Sequence, residues 1–304
     1  MRRAVGQVTA LLGAASLLAA FAGGGQAEIT LTHVHGLSYS PDGVRLMVPS
    51  HHGLAIYEGD KWSKAGGPEH DYMGFAASAR HIYSSGHPAP GSGLKNPFGL
   101  IRSRDNGKSW DKLGLEGETD FHLLATGWNT NAIYVWNPAP SSRMKAPGLH
   151  YTLNDGFTWK AAAAAGLQGE PRALAVHPDQ PTIVGIATSK GIYESSDSGE
   201  HFTQLGRGEG TAVFFDLDGK HFWYGSFDGT TRLSRVQLPR GPLDQIALPP
   251  MKDDAVAYIA QNPSKREEYA IATFARSVYR SRDAGRTWTR IADRGQGNDY
   301  PELQ

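Results

Sequence analysis

Seven of the twelve histidines fall within the 55 residues from His33 to His87, a concentration that marks one region for imidazole chemistry. His33 and His35 are two apart in a β-like stretch, so a strand there turns both rings to the same side. His51 and His52 sit at a turn shortly after. His70 precedes Asp71 and Tyr72, His87 begins a Gly/Pro-rich loop, and Asp120 and His122 are again two apart. Imidazoles and carboxylates at this density suit a divalent transition metal, with copper or zinc the expected cofactor. A His-x-His pair with one or two ligands from a neighbouring strand makes a three- or four-coordinate site. The expected ligands are His33, His35, His51 or His52, His70 and His122, with His87 closing from the loop. Asp71, Tyr72 and Asp120 are further ligands, groups orienting the imidazoles, or, if the site is hydrolytic, the catalytic set. The competing account has these histidines hydrogen-bonding loop carbonyls or a polar ligand without metal. His81, His150, His177, His201 and His221 occupy strand and turn positions and read as structural.

The elements that must position these residues are set by a repeat. The octad Ser103–Trp110 recurs as Thr152–Trp159, Ser195–Phe202 and Ser281–Trp288, with the pattern S/T-x-D/N-x-G-x-x-W/F. The closing aromatics are spaced by 49, 43 and twice 43 residues, which predicts a degenerate unit near residue 245. A similar stretch ends at Trp62. Six units of roughly 45 residues, each the size of four short strands, predict an all-β six-bladed β-propeller in one domain, residues 28–304. In the first unit the strands are expected near 31–39, 44–49, 53–58 and 62–64. The segments 85–97 and 137–148 are expected as long loops between the second and third strands of blades two and three, on the rim where function gathers. That register brings His33 through His122 to one sector of that rim.

The octad resembles the Asp-box, or BNR repeat, of sialidases and sortilin-like receptors. The resemblance implies a structural hairpin motif, in which the Asp or Asn accepts backbone hydrogen bonds, Gly takes a positive φ and the aromatic packs between strands. The strings HVHGLSYSPDG (33–43), EHDYMGF (69–75), SSGHPAPGSGLKNPFGL (84–100) and ETDFH (118–122) are similar to a family of exported bacterial propellers labelled glycosyl hydrolase-like. The likeness to sialidases implies an arginine clamp for an anionic sugar, and Arg172 and Arg276 lie at rim-facing positions suited to ligand binding, with Arg143 on a loop. The first clamp arginine is missing, since His33-Val34-His35 stands there. A glycoside hydrolase of another kind would oppose Asp71 or Asp120 to Asp253 or Asp254 across the channel. A third reading is a non-catalytic scaffold binding a protein or peptide through Tyr72, Phe98, Trp136 and Phe227.

Arg2 and Arg3, an apolar stretch from Ala4 to Ala22 and the small residues Gly25 and Ala27 describe a secretory leader, cleaved after residue 27. The protein is expected in the periplasm or outside the cell, with no membrane attachment once the leader is removed. Thirty basic against thirty acidic residues exclude a general polyanion binder, and with it a nucleic-acid partner. The absence of cysteine excludes disulfides, thiolate metal sites and a cysteine nucleophile.

Overall fold

The computed structural model describes residues 29–297, so the leader expected over 1–27 lies outside the described residues. Every regular element among them is a β-strand, and no helix there is long and apolar enough to cross a membrane. The strands form six antiparallel sheets, each built from consecutive strands, which makes the fold a six-bladed β-propeller. Labelled A to D outward from the channel, blade one contains Ser38–Tyr39, Leu46–Ser50, Gly53–Glu58 and Lys61–Lys64. Blade two contains Asp71–Ala77, Ile82–His87, Leu100–Ser103 and Asp111–Gly114. Blade three contains Leu124–Thr126, Ile133–Asn137, Gly148–Thr152 and Lys160–Ala161. The A strands of blades four, five and six are Pro171–Val176, Glu209–Phe215 and Val256–Gln261. The degenerate fifth unit keeps its D strand, Leu243–Ile246, without an octad.

One boundary differs from expectation. Strand A of blade one was expected over 31–39, but its ladder covers only Ser38–Tyr39. His35 N–H donates to Pro49 O at 3.1 Å, and Pro49 has no N–H to return the bond, so regular pairing fails there. His33 and His35 therefore lie in an extended lead-in to the strand.

Strand alternation places the cores between blades, not within them. Leu46 and Val48 pack towards blade six with Ala270, Ala272 and Val278. Met47, between them, packs on blade two with Tyr72, Phe75 and Ile82. The same division recurs at all six interfaces. The ring closes where Thr30 bridges Gln296, Leu31 N–H donates to Gly295 O, and Trp62 Nε1–H donates to Ile291 O at 2.6 Å.

The four octads form the C–D hairpins at the outer edge. Ser103 Oγ accepts Gly107 N–H at 2.8 Å, and Asp105 Oδ1 accepts Ser109 N–H at 2.8 Å. Thr152/Asn154, Ser195/Asp197 and Ser281/Asp283 repeat this arrangement. The φ of Gly107 is +84°, and a Cβ there would meet Leu54 of blade one at 2.4 Å. Each hairpin is thus clamped to its neighbour.

Candidate metal centre

Four segments converge on the rim of blades one to three: the lead-in 32–37, the B–C turn at His51–His52, and the approaches to strand A of blades two and three. Their closeness depends on two glycines of blade two. A Cβ at Gly74 would stand 2.1 Å from Phe121 O, and one at Gly86 would stand 2.1 Å from Asp71 O. Phe121 is fully buried, and its N–H donates to Ser85 Oγ at 2.9 Å, so Asp120 and His122 are held on either side of an anchored residue.

His33, His35 and His51 come together. Each offers a ligand atom within 4.8 Å of the other two, and the ring centroids of His33 and His51 are 4.3 Å apart. Asp71 stands behind them. His51 Nδ1–H donates to Asp71 Oδ2 at 2.8 Å, which leaves the Nε2 lone pair of a neutral His51 free to bind. His35 Nε2 and Asp71 Oδ1, 3.8 Å apart, are both buried and have no hydrogen-bond partner. Burial pushes His35 down to about 4, against the pull of the Asp71 carboxylate, and positive charge on His51, His33 or His122 would add to it. His35 is therefore a neutral imidazole at pH 7, the form that ligates metal.

Beside this trio lies a second arrangement. His122 Nε2 and His87 Nε2 approach the same oxygen, Asp120 Oδ2, at 2.8 and 3.2 Å. The hydrogen bond to Asp120 raises His122, opposed by burial, and the Asp120 and Asp71 charges add to the rise. His87 Nδ1 meets Asn96 Oδ1 at 2.7 Å. Asn96 was not singled out from sequence, because its role appears only when the long loop folds back.

Other expected residues are placed elsewhere. His70 and Tyr72 flank Asp71 on a strand, so when Asp71 faces the rim they face the blade. His70 is buried, and its Nδ1 accepts Ala89 N–H at 2.9 Å, which pins the loop. Tyr72 is fully buried with its hydroxyl donating to Pro68 O, and burial raises it far above the usual phenol range, so it is core and not a catalytic group. Phe98 is likewise core, and Trp136 packs against the cluster between blades three and four. His52 is exposed at the turn, outside the trio. Neither arginine stands free for an anion. Arg172 is paired with Glu209, and Arg276 donates to Thr32 O at 3.1 Å, fixing the backbone beside His33. Arg143 donates to Gly156 O. Asp254 Oδ1 accepts the N–H groups of Ala255 and Ala275, which weakens it as the acid opposite Asp71.

The A strands enclose a channel of about 160 Å³. Its wall mixes apolar side chains, among them Leu37, Phe75, Leu124 and Phe214, with the polar groups of His35, His122 and Arg172. On the opposite rim Asp216, Asp218 and His221 form another cluster of potential ligands, from a D-x-D-x-x-H spacing that the sequence reading passed over. There Asp216 Oδ1 already accepts Trp223 Nε1–H and Tyr269 O–H, tying blade five to blade six.

No family model matches the sequence, and no curated protein matches it. Solved structures do match by shape. A GH74 enzyme of Niastella koreensis aligns with TM-score 0.59 and 17% identity over 88% of this chain and 47% of that one. A GH74 xyloglucanase from Xanthomonas campestris gives 0.54 and 15%, over 86% and 46%. The β-propeller domain of Cps50 (Swd1) of Myceliophteria thermophila gives 0.53 and 13%, over 85% and 86%. The chain spans about half the length of the two GH74 enzymes. At these identities the likeness is one of fold, and what it establishes is that this chain is a β-propeller of the kind shared by glycoside hydrolases and other proteins.

Proposed function

We propose that the rim of blades one to three binds a divalent transition metal, copper or zinc, through His33, His35 and His51, with Asp71 orienting His51 and available as a further ligand. One observation carries the reading: three imidazoles share a 4.8 Å locus beside two buried polar atoms, His35 Nε2 and Asp71 Oδ1, that lack partners. Buried polar atoms without partners are rare, and a cation between these two would satisfy both. A three-histidine set with an open position is a known zinc arrangement, and imidazole suits copper equally. An ion held there polarises a carbonyl or activates water, or is simply carried. The leader-like residues 1–27 support action in the periplasm or outside the cell.

The test is elemental analysis and titration calorimetry of untagged protein beside a His33→Ala/His35→Ala variant. Stoichiometric metal in the parent, lost from the trio in the variant, supports the reading. A parent that binds no transition metal after reconstitution, or a variant that binds as much as the parent, overturns it.

Glycan hydrolysis is the second reading, supported by the GH74 neighbours. Asp71 and Asp120 would carry it. It predicts turnover that Asp71→Asn or Asp120→Asn abolishes and that chelators leave intact, the opposite of a metal-dependent reaction.

A further inference from the structure

We infer that the central channel binds a small uncharged organic molecule, about one aromatic ring in size, whose hydroxyl or carbonyl group is met by Tyr258. This goes beyond the metal reading, since it concerns the channel wall and holds with or without an ion on the rim.

Four A strands break register near their start: between Tyr72 and Gly74, Pro171 and Ala173, Gly210 and Ala212, and Val256 and Tyr258. The residue after the break is glycine or alanine in three blades, and in blade six it is Tyr258. Its ring packs against the core between blades six and one, and the residue also lines the channel. Tyr258 is deeply surrounded yet partly accessible, the condition of a group on a channel wall. Phenylalanine would pack there as well, so the ring does not account for the hydroxyl. Among the described residues nothing hydrogen-bonds to that hydroxyl, and burial alone raises it to about 12. A hydroxyl removed from water is unfavourable unless a partner meets it.

Other polar groups of the wall are already engaged. Thr126 Oγ1–H donates to Ala132 O at 2.8 Å. Gln261 uses both ends of its amide, accepting Leu217 N–H at 2.7 Å and donating to the Tyr269 hydroxyl at 2.9 Å. The cationic groups are matched by carboxylates, Arg172 by Glu209 and His122 by Asp120, and His35 is neutral at pH 7. Among the described residues the wall therefore offers no unmatched cation to a carboxylate or phosphate, and an uncharged molecule is favoured. Size follows from the volume. At about 160 Å³ the channel is close to the cavity of about 150 Å³ that takes up benzene in another protein. Ala173, Ala175, Ala257 and Ala260 on the wall keep it open. His35 lies on the same wall, so a molecule held there sits beside the trio.

Titration calorimetry with phenol, benzene and benzoate tests this on the parent, Tyr258→Phe and Ala173→Phe, with thermal melting to show that each is folded. A channel site predicts saturable one-to-one binding of phenol by the parent, weakened about fivefold in Tyr258→Phe, the size of one neutral hydrogen bond. Benzene should bind Tyr258→Phe at least as well as the parent, and benzoate should bind the parent more weakly than phenol does. Ala173→Phe, which fills the channel, should bind none of the three. Phenol that fails to bind the parent, or that binds Tyr258→Phe undiminished, overturns the inference. So does a folded Ala173→Phe that binds as the parent does, or benzoate binding more tightly than phenol. Where Ala173→Phe fails to fold, the single hydroxyl removed in Tyr258→Phe carries the test alone.

Discussion

The aspartates of the outer hairpins and those of the rim are the same residue in opposite conditions. Asp283 uses both oxygens: Oδ1 accepts Ser281 Oγ–H and Thr287 N–H, and Oδ2 accepts Thr287 Oγ–H. Asp197 does likewise with Ser195 and His201. These hydrogen bonds, led by Thr287 Oγ and by His201 N–H respectively, hold both carboxyls at about 2. At the rim, Asp71 and Asp120 each engage imidazole through one oxygen and leave the other buried without a hydrogen-bond partner. A carboxylate that closes a turn saturates itself locally, whereas the two on the rim do not. Satisfaction of the oxygens, more than residue type or exposure, separates the acids of the hairpins from those of the rim.

The largest way to break the rim is steric. Gly74→Ala drives a methyl against Phe121 O, 2.1 Å away, and no side-chain movement relieves a backbone contact. We expect a loss of about 3 kcal/mol in urea unfolding, with metal binding lost along with it because Asp120 and His122 move. Wild-type stability in Gly74→Ala would show that the blade two–three approach is looser than described.

Next come two substitutions that should dissociate stability from binding. Ser281→Ala removes the acceptor of the buried Gly285 N–H and one donor to Asp283. It should cost about 2 kcal/mol and leave metal content unchanged. Asp71→Ala should do the converse, weakening metal binding about 10- to 100-fold with stability altered by less than about 1 kcal/mol. Equal effects of both on both measurements would erase the distinction between hairpin and rim.

The pH profile sharpens the same contrast. His35 titrates at about 4 in the folded protein because it is buried, against 6.5 when unfolded. As pH falls from 6.5 towards 4 the unfolded chain takes the proton first, so the metal-free protein loses up to about 3 kcal/mol over that window. That loss should be absent from His35→Ala. Asp197 and Asp283, held at about 2, stay ionised in the fold throughout and add to the slope only as pH nears 4, where their carboxyls in the unfolded chain begin to take protons.

Most of the fold was legible because the octad is a local device: its hydrogen bonds span four residues, so its spacing survives in the sequence as a period. The convergence of the candidate residues was legible where register alone decides. His33, His35, His51, Asp71, Asp120 and His122 reach one sector because turns and strand starts share a rim. It failed one residue to either side, since the alternation that turns Asp71 out turns His70 and Tyr72 in. Gly74, Gly86 and Asn96 were not readable at all. Their roles are contacts with segments many residues away, and nothing in their neighbours announces such an approach.

Asn96 gives the smallest effect. If it fixes the His87 ring by accepting Nδ1–H at 2.7 Å, then Asn96→Ala should cost about 1 kcal/mol in urea unfolding. Asn96→Asp retains an acceptor at the same place and should restore that stability. The trio should keep its metal affinity in both variants, because its own orienting group is Asp71. Urea unfolding and calorimetry of the two variants separate this account from a direct role of Asn96 at the trio, since only the latter predicts weaker metal binding.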